Sequence, residues 1–369
     1  MSILDRIDQP TLLIDAEITR SNIRRMADRA KKENVVFRPH FKTHQSAQIG
    51  EWFREEGVEK ITVSSVEMAE YFADHNWKDI LIAFSVNPRQ ARRIDALAGR
   101  VHLGVLLENP EALQALAAVG NSSMDVWIKI DVGNHRTGLD WQDLPEITSL
   151  CELVQQNPRM RLAGLLTHSG HTYHAGGRED VIRTFREGVA RLTAARDDLR
   201  AKGFSGLRIS TGDTPGCSLC EDWSGIDEIR PGNFVFYDAQ QALAGSCSMD
   251  DVSMALACPV VAKHPQRGEA VIYGGAVHLS KDSALLDGKT SYGLPALQDG
   301  ERWGAPIPGG RVDRLSQEHG IVQLPPEALE KIKVGDLLFV IPAHSCLTVQ
   351  VMGEYFTLQG EKFSSLNRS

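Results

Sequence analysis

Apolar residues recur along the first two thirds of this chain in two alternating rhythms. Short runs such as residues 11–15, 60–64, 79–84, 101–107 and 124–131 are rich in Leu, Ile and Val. They are too short for helices and read as buried strands. Between them apolar positions return at helical spacing, as at Ile18, Ile23, Met26, Ala27 and Ala30 within residues 17–32. The same rhythm predicts helices over 45–56 (closed by Gly57), 66–75, 88–99, 110–119, 144–156 and 178–202. It predicts further strands over 35–38, 162–168, 207–210 and 226–237.

Strands of this kind alternating with helices imply a parallel sheet covered on both faces. About eight strand–helix units between residues 11 and 240 fit a (β/α)8 barrel of the TIM type. An open doubly wound sheet is the alternative. The glycine-rich dinucleotide fingerprint that often marks such a sheet does not follow the first strand.

From Met254 the rhythm changes. Residues 254–263, 270–277, 320–323, 337–341 and 348–356 are apolar or alternating runs parted by turn residues, which predicts a β-rich second domain. Residues 281–318 hold many Gly and Pro and little periodicity, and read as a long loop. The expected division is a barrel over 11–245 and a β domain over 250–369, with residues 1–10 a candidate addition to the second.

Composition narrows the function. The 369 residues are 42% hydrophobic and 24% charged, ordinary for a globular chain, and the net charge is −8. No basic run is available to neutralise phosphates, so a nucleic-acid partner is not expected. The paired cations Arg24-Arg25 and Lys31-Lys32 fall in a helical pattern and read as a solvated face. No apolar stretch approaches the roughly 20 residues of a membrane span. The first ten residues lack the pattern of a signal peptide, and the cytoplasm is the expected compartment. Six cysteines in so long a chain do not suggest a disulfide framework. Cys217 and Cys220 form one CxxC with no second pair, and read as free thiols in a loop.

In a barrel the active site is built at the C-terminal ends of the strands. Read in order, those positions carry His40, Lys42 and His44; Asp131 to Arg136; His168, His171, Tyr173 and His174; Ser210, Thr211 and Gly212; and Gly232, Asn233 and Tyr237. Each alone has an ordinary explanation: an exposed lysine, a packed histidine, a turn. Together they place a candidate Schiff-base lysine beside hydroxyls and glycine amides suited to a phosphate. Those are the two requirements for pyridoxal 5′-phosphate (PLP).

The segment Arg38-Pro39-His40-Phe41-Lys42-Thr43-His44 and the closing Pro342-Ala343-His344-Ser345-Cys346-Leu347-Thr348 resemble the D-serine dehydratase / D-threonine aldolase family. These are fold-type III PLP enzymes with an alanine racemase-like barrel. Asp131 to Gly138, His168 to His171, Ser210 to Pro215 and Arg230 to Asn233 support the likeness, which spans nearly the whole chain. The resemblance implies that Lys42 carries PLP as a Schiff base and removes the α-proton. It implies Arg136 beside the cofactor ring and Tyr173 or His168 near the substrate. Ser210, Thr211, Gly212, Gly232 and Asn233 are the implied phosphate contacts.

His344 and Cys346 are implied to bind a divalent metal. If the segment is a strand, two residues apart means the same face. Imidazole plus thiolate favours zinc, with manganese or magnesium as alternatives, and two protein ligands leave room for substrate. The implied reaction is a lyase reaction on a small β-hydroxy D-amino acid. Dehydration of D-serine to pyruvate and ammonia is favoured, because Cys346 stands where aldolase relatives tend to carry aspartate. Retro-aldol cleavage of D-threonine and lysis of 3-hydroxy-D-aspartate remain open. A racemase would leave the metal motif without a role, and a PLP carrier without catalysis would not need the β domain. The family implies a homodimer.

Overall fold

The computed structural model describes residues 2–366. Two compact units divide the chain: residues 24–42 with 50–232, and residues 2–23, 43–49 and 233–366.

The first unit is a nearly closed parallel barrel. Its eight strands follow the order Val36–Phe37, Glu228–Ile229, Arg208–Thr211, Met160–Leu166, Met124–Asp131, His102–Leu107, Asp79–Ser85 and Lys60–Val63. The ring is completed by a single parallel bridge between His40 and Thr62. There the Phe41 amide donates to Thr62 O and the Thr62 amide to Pro39 O, both at 2.9 Å. Leu81, Leu106, Trp127, Ala163 and Leu166 form a buried core cluster. The outer helices begin where short polar side chains cap them: Ser65 accepts from the Met68 amide, Asn109 from Ala112, and Asp143 from Glu146. The expected barrel is therefore present, with one change of membership. Thr11–Ile14 pairs antiparallel with Met254–His264 and parallel with Glu354–Thr357, so it belongs to the second unit. An all-apolar run reveals that a strand is buried, not which strand it pairs with.

The second unit is β-rich. One sheet runs through Arg302–Pro306, Gly293–Asp299, Leu337–Pro342, Met254–His264, Thr11–Ile14, Glu354–Thr357 and Lys362–Ser364. Glu269–Tyr273, His319–Gln323 and Arg311–Leu315 branch from Met254–His264.

Three local expectations are corrected. Residues 281–318 are not a loop: they hold the strands Ala284–Leu286, Lys289–Ser291, Gly293–Asp299, Arg302–Pro306 and Arg311–Leu315. Their glycines mark the turns, since Gly288, Gly300 and Gly309 have φ of 75°, 60° and 73°. The run 348–356 is not one strand: Ser345–Met352 is helical and stops at Gly353 (φ 74°), and the strand Glu354–Thr357 follows. The strand over 226–237 shrinks to Glu228–Ile229, because Pro231 and Gly232 break it before the turn Asn233–Val235.

Among the described residues no helix is long and apolar enough to cross a membrane. None of the six cysteines is in a disulfide among the described residues. Cys217 lies on the helix Thr214–Leu219, not in a loop, and Cys220 just beyond it.

Candidate functional site

The barrel unit brings most of the sequence-predicted residues to the C-terminal ends of its strands. Lys42 follows Val36–Phe37 in a tight turn, and its amide lies 3.4 Å from His40 Nδ1. His168 follows Met160–Leu166, its Nδ1 3.3 Å from Gly212 O. Tyr173 lies beyond it, ring centroids 6.2 Å apart, and its hydroxyl accepts from the Thr214 amide at 3.4 Å. Arg136 is exposed on the loop after Met124–Asp131. That loop is wound around Asp131, whose carboxylate accepts from the amides of Gly133, Asn134 and His135 at 2.9–3.1 Å.

Ser210 and Thr211 are buried and differ in their commitments. The Ser210 hydroxyl donates to Glu228 Oε1 at 2.8 Å and accepts from Arg230 Nε at 2.7 Å. Glu228 in turn accepts from Arg38 Nε at 2.7 Å, and Arg38 also meets Asp79 at 2.5 Å. Ser210 is thus one link in a buried ionic chain. Thr211 Oγ1 has no hydrogen-bond partner among the described residues. Gly212 (φ 134°) lies against Arg230, where a Cβ would fall 2.6 Å from the Arg230 amide nitrogen.

Positive charge dominates this end of the barrel. Burial, then the nearby Lys42, holds the His40 and His168 imidazoles well below the ordinary histidine value. Both are therefore neutral near pH 7. Lys129, on the strand Met124–Asp131, is buried, and desolvation followed by Arg230 and Arg136 lowers its amine to about 7. Burial lowers Arg230 to about 10. A buried surplus of cations with an unpartnered hydroxyl is what an anionic cofactor would complement. The side chains present fit PLP, with Lys42 as the amine that would hold it.

The His-Ser-Cys motif lies in the second unit. It is not a strand: His344 sits at the N-cap position of the helix that begins at Ser345, without a capping side-chain bond. Cys346 Sγ lies 3.2 Å from Thr43 Oγ1 and 3.9 Å from Asn233 Nδ2. Asn233 Nδ2 also donates to Asp238 Oδ2 at 2.5 Å and to Ser345 Oγ at 3.0 Å, so its side chain is committed within the second unit. Burial disfavours a charged His344, but the Cys346 sulfur and Asp238 raise its imidazole well above the usual value. An imidazole and a thiol held side by side are a fitting donor pair for zinc. Among the described residues no group of three or more His, Cys, Asp or Glu is placed to hold a metal. His44, the second histidine flanking Lys42 in sequence, is turned inward, its Nδ1 3.1 Å from the Ser46 amide.

Several residues of these surroundings are not among the site residues the sequence points to, though Arg38, Thr43 and Arg230 lie within the motifs that carry the resemblance. Lys129, Arg230, Glu228 and Arg38 form the barrel's charged interior, and Thr43 and Asp238 flank the motif. Their roles come from partners far away in the chain. Lys129 is marked in the sequence as a lysine between two isoleucines in a strand.

Comparisons with known proteins give the family. A family described as alanine racemase, N-terminal domain, matches residues 14–240, and one described as a putative serine dehydratase domain matches residues 253–358. The chain is 30% identical to a D-threo-3-hydroxyaspartate dehydratase of Delftia sp., over 93% of this chain and 92% of that protein. It is 28% identical to a D-serine dehydratase of Dictyostelium discoideum, over 97% and 95%. The solved structure of the Delftia enzyme superposes with a TM-score of 0.92 over the whole of both chains, at 28% identity. A cysteine-to-alanine mutant of it in the metal-free form matches equally well. The chain belongs to the family of the alanine racemase N-terminal domain, here followed by a putative serine dehydratase domain.

Proposed function

We propose that this protein is a PLP- and divalent-metal-dependent dehydratase of a small β-hydroxy D-amino acid, D-serine first. The observation that carries the reading is that one chain holds both a Lys42-centred cationic barrel mouth and a donor pair of half-buried His344 and buried Cys346. Both curated relatives described above are dehydratases by name. The metal-free cysteine mutant of the Delftia enzyme supports Cys346 as a ligand here.

PLP, when bound, supplies an electron sink for the substrate α-carbon. Lys42 holds it through Nζ and then takes the α-proton. The neutral imidazoles of His40 and His168 offer acceptors beside Lys42 without adding charge. Thr211 Oγ1 and the Gly212 loop would receive the phosphate, and Arg136 would lie beside the ring. Tyr173 borders the substrate. His344 and Cys346 would hold a metal, zinc by donor type, that would supply Lewis acidity at the substrate hydroxyl.

The surplus of cations favours a second reading. In it Lys129 and Arg136 would receive the extra carboxylate of 3-hydroxy-D-aspartate. The same proposal includes a cytoplasmic homodimer. Six free thiols suit a reducing compartment. Val277, Leu285, Leu347 and Val351, each at least 39% exposed on the second unit, offer apolar surface to another copy.

The test is turnover of D-serine, D-threo-3-hydroxyaspartate and D-threonine, with and without a chelator. Pyruvate from D-serine that disappears on chelation and returns with zinc supports the dehydratase. Oxaloacetate from hydroxyaspartate alone moves the assignment to the second reading. Glycine and acetaldehyde from D-threonine would replace it with an aldolase. Lys42→Ala should abolish turnover and the yellow absorbance of the bound cofactor.

A further inference from the structure

Asp238 stands outside every role assigned so far. Its side chain is fully buried, between the turn Asn233–Val235 and the helix Ala239–Leu243. Oδ1 accepts from the Gln241 amide at 3.0 Å. Oδ2 accepts from Asn233 Nδ2 at 2.5 Å, from the Ser345 amide at 3.0 Å and from Ser345 Oγ at 3.3 Å. The same oxygen faces His344 Nδ1 at 3.4 Å, a contact too bent to count as a hydrogen bond as it stands. Three donors already occupy Oδ2, so little of it remains for a metal. Nδ1 is itself buried, with no better partner than this carboxylate.

We propose that Asp238 is a positioning residue that holds the Nδ1 side of His344, so that Nε2 is the nitrogen presented to the metal, while the Thr43 hydroxyl donates to the Cys346 sulfur from the other side. Imidazole ligands commonly donate their second nitrogen to a carboxylate, which fixes the tautomer and the ring plane. Four donors around one carboxylate leave Asp238 no freedom to turn, and that rigidity passes to the ring. Thr43 Oγ1, 3.2 Å from the sulfur, does the same for Cys346, because a hydroxyl donating to a thiolate defines where its remaining lone pairs point. Thr43 directly follows Lys42, so the chain that carries the amine also carries a contact to the metal ligand. The inference rests on the reading that His344 and Cys346 hold a divalent metal.

The experiment uses the PLP-loaded full-length protein stripped of metal, and measures zinc affinity by competition with a chromogenic chelator. Asp238→Asn should weaken zinc binding by about 10–100-fold. Thr43→Val should weaken it by a smaller factor. Both should retain the cofactor absorbance. In cobalt-loaded protein the thiolate charge-transfer band should persist in Asp238→Asn while the ligand-field bands shift, which a general loss of packing would not produce. A crystal structure of the zinc-loaded wild type provides a reading independent of folding of the variants: zinc on His344 Nε2, with Asp238 bonded to Nδ1, is expected. Zinc on Nδ1, zinc bound directly by Asp238, or affinity within twofold of wild type in Asp238→Asn would overturn the proposal. If His344→Ala and Cys346→Ala bind zinc like wild type, the underlying metal reading fails instead, and the two failures are told apart.

Discussion

At the scale of single residues, the clearest departure from ordinary chemistry is Asp213. It caps the helix Thr214–Leu219, accepting from the Gly216 amide and the Thr172 hydroxyl, both at 2.7 Å on Oδ1, while Oδ2 is buried without a partner. Burial outweighs these bonds and raises its carboxyl to about 6. A raised acid stabilises the fold most below the unfolded value near 4, and that contribution is lost as pH rises to about 6. Ionised Asp213 therefore costs on the order of 2 kcal/mol at neutral pH. Asp213→Asn keeps the Oδ1 acceptor and removes the charge. Urea unfolding should show the variant more stable than wild type at pH 8, with a flatter profile between pH 4 and 6; equal profiles would refute the assignment. Lys42 was legible in the sequence because its motif is contiguous. Asp213 was legible only as part of a Thr/Gly turn, because the burial that changes its chemistry comes from elements distant in the chain.

Secondary structure was legible wherever one periodicity ran unbroken. The helices Pro110–Val119 and Arg178–Ala201 and the strand Met124–Asp131 fall within a residue of expectation. The failures lie where strand-forming side chains and turn glycines compete. Thr348, Val349 and Val351 favour a strand by type, but the helix cap at Gly353 and the seating of Thr348 Oγ1 on Leu279 O select a helix. The motif residue Cys346 was thus found by its neighbours in sequence, while its helical setting was not. Strand spacing in the barrel depends on Gly164, next to the shift in register between Val126 and Trp127. A Cβ there would lie 2.0 Å from Arg208 O and 2.7 Å from its amide nitrogen, which are main-chain atoms of the neighbouring strand. Gly164→Ala should cost at least about 3 kcal/mol or prevent folding. Gly203 also has a positive φ, of 98°, but meets nothing within 4 Å, so Gly203→Ala should cost only about 1–2 kcal/mol. Denaturant titration of the pair checks the order, and a reversed order would refute the close-approach argument.

For the whole molecule, what the sequence left open was membership: Thr11–Ile14 and residues 43–49 go with the β-rich unit although they precede or interrupt the barrel in sequence. Strand partners more than 200 residues apart leave no periodic trace, so the division between units depends on contacts that no local pattern encodes. That division separates the two proposed binding sets. Lys42, His168, Thr211 and Gly212 lie in the barrel unit, and His344, Cys346, Asp238 and Thr43 in the other. A ligand that binds only the native state stabilises it by about 2.7 kcal/mol at a hundredfold excess over its dissociation constant. Local openings near each site should respond to that site's own ligand. Hydrogen exchange of the holoenzyme is the measurement. Removing metal with a chelator should speed exchange at the amides of Gln241, Ser345 and Thr348, whose acceptors are Asp238, again Asp238, and His344. Removing PLP should speed it at His40, Phe41 and Arg230, which bond to Pro231, Thr62 and Thr211. Chelation that loosens only the second group would place the metal with the cofactor's lysine and away from His344 and Cys346. Loosening confined to the first group ties the metal to the motif without any appeal to turnover.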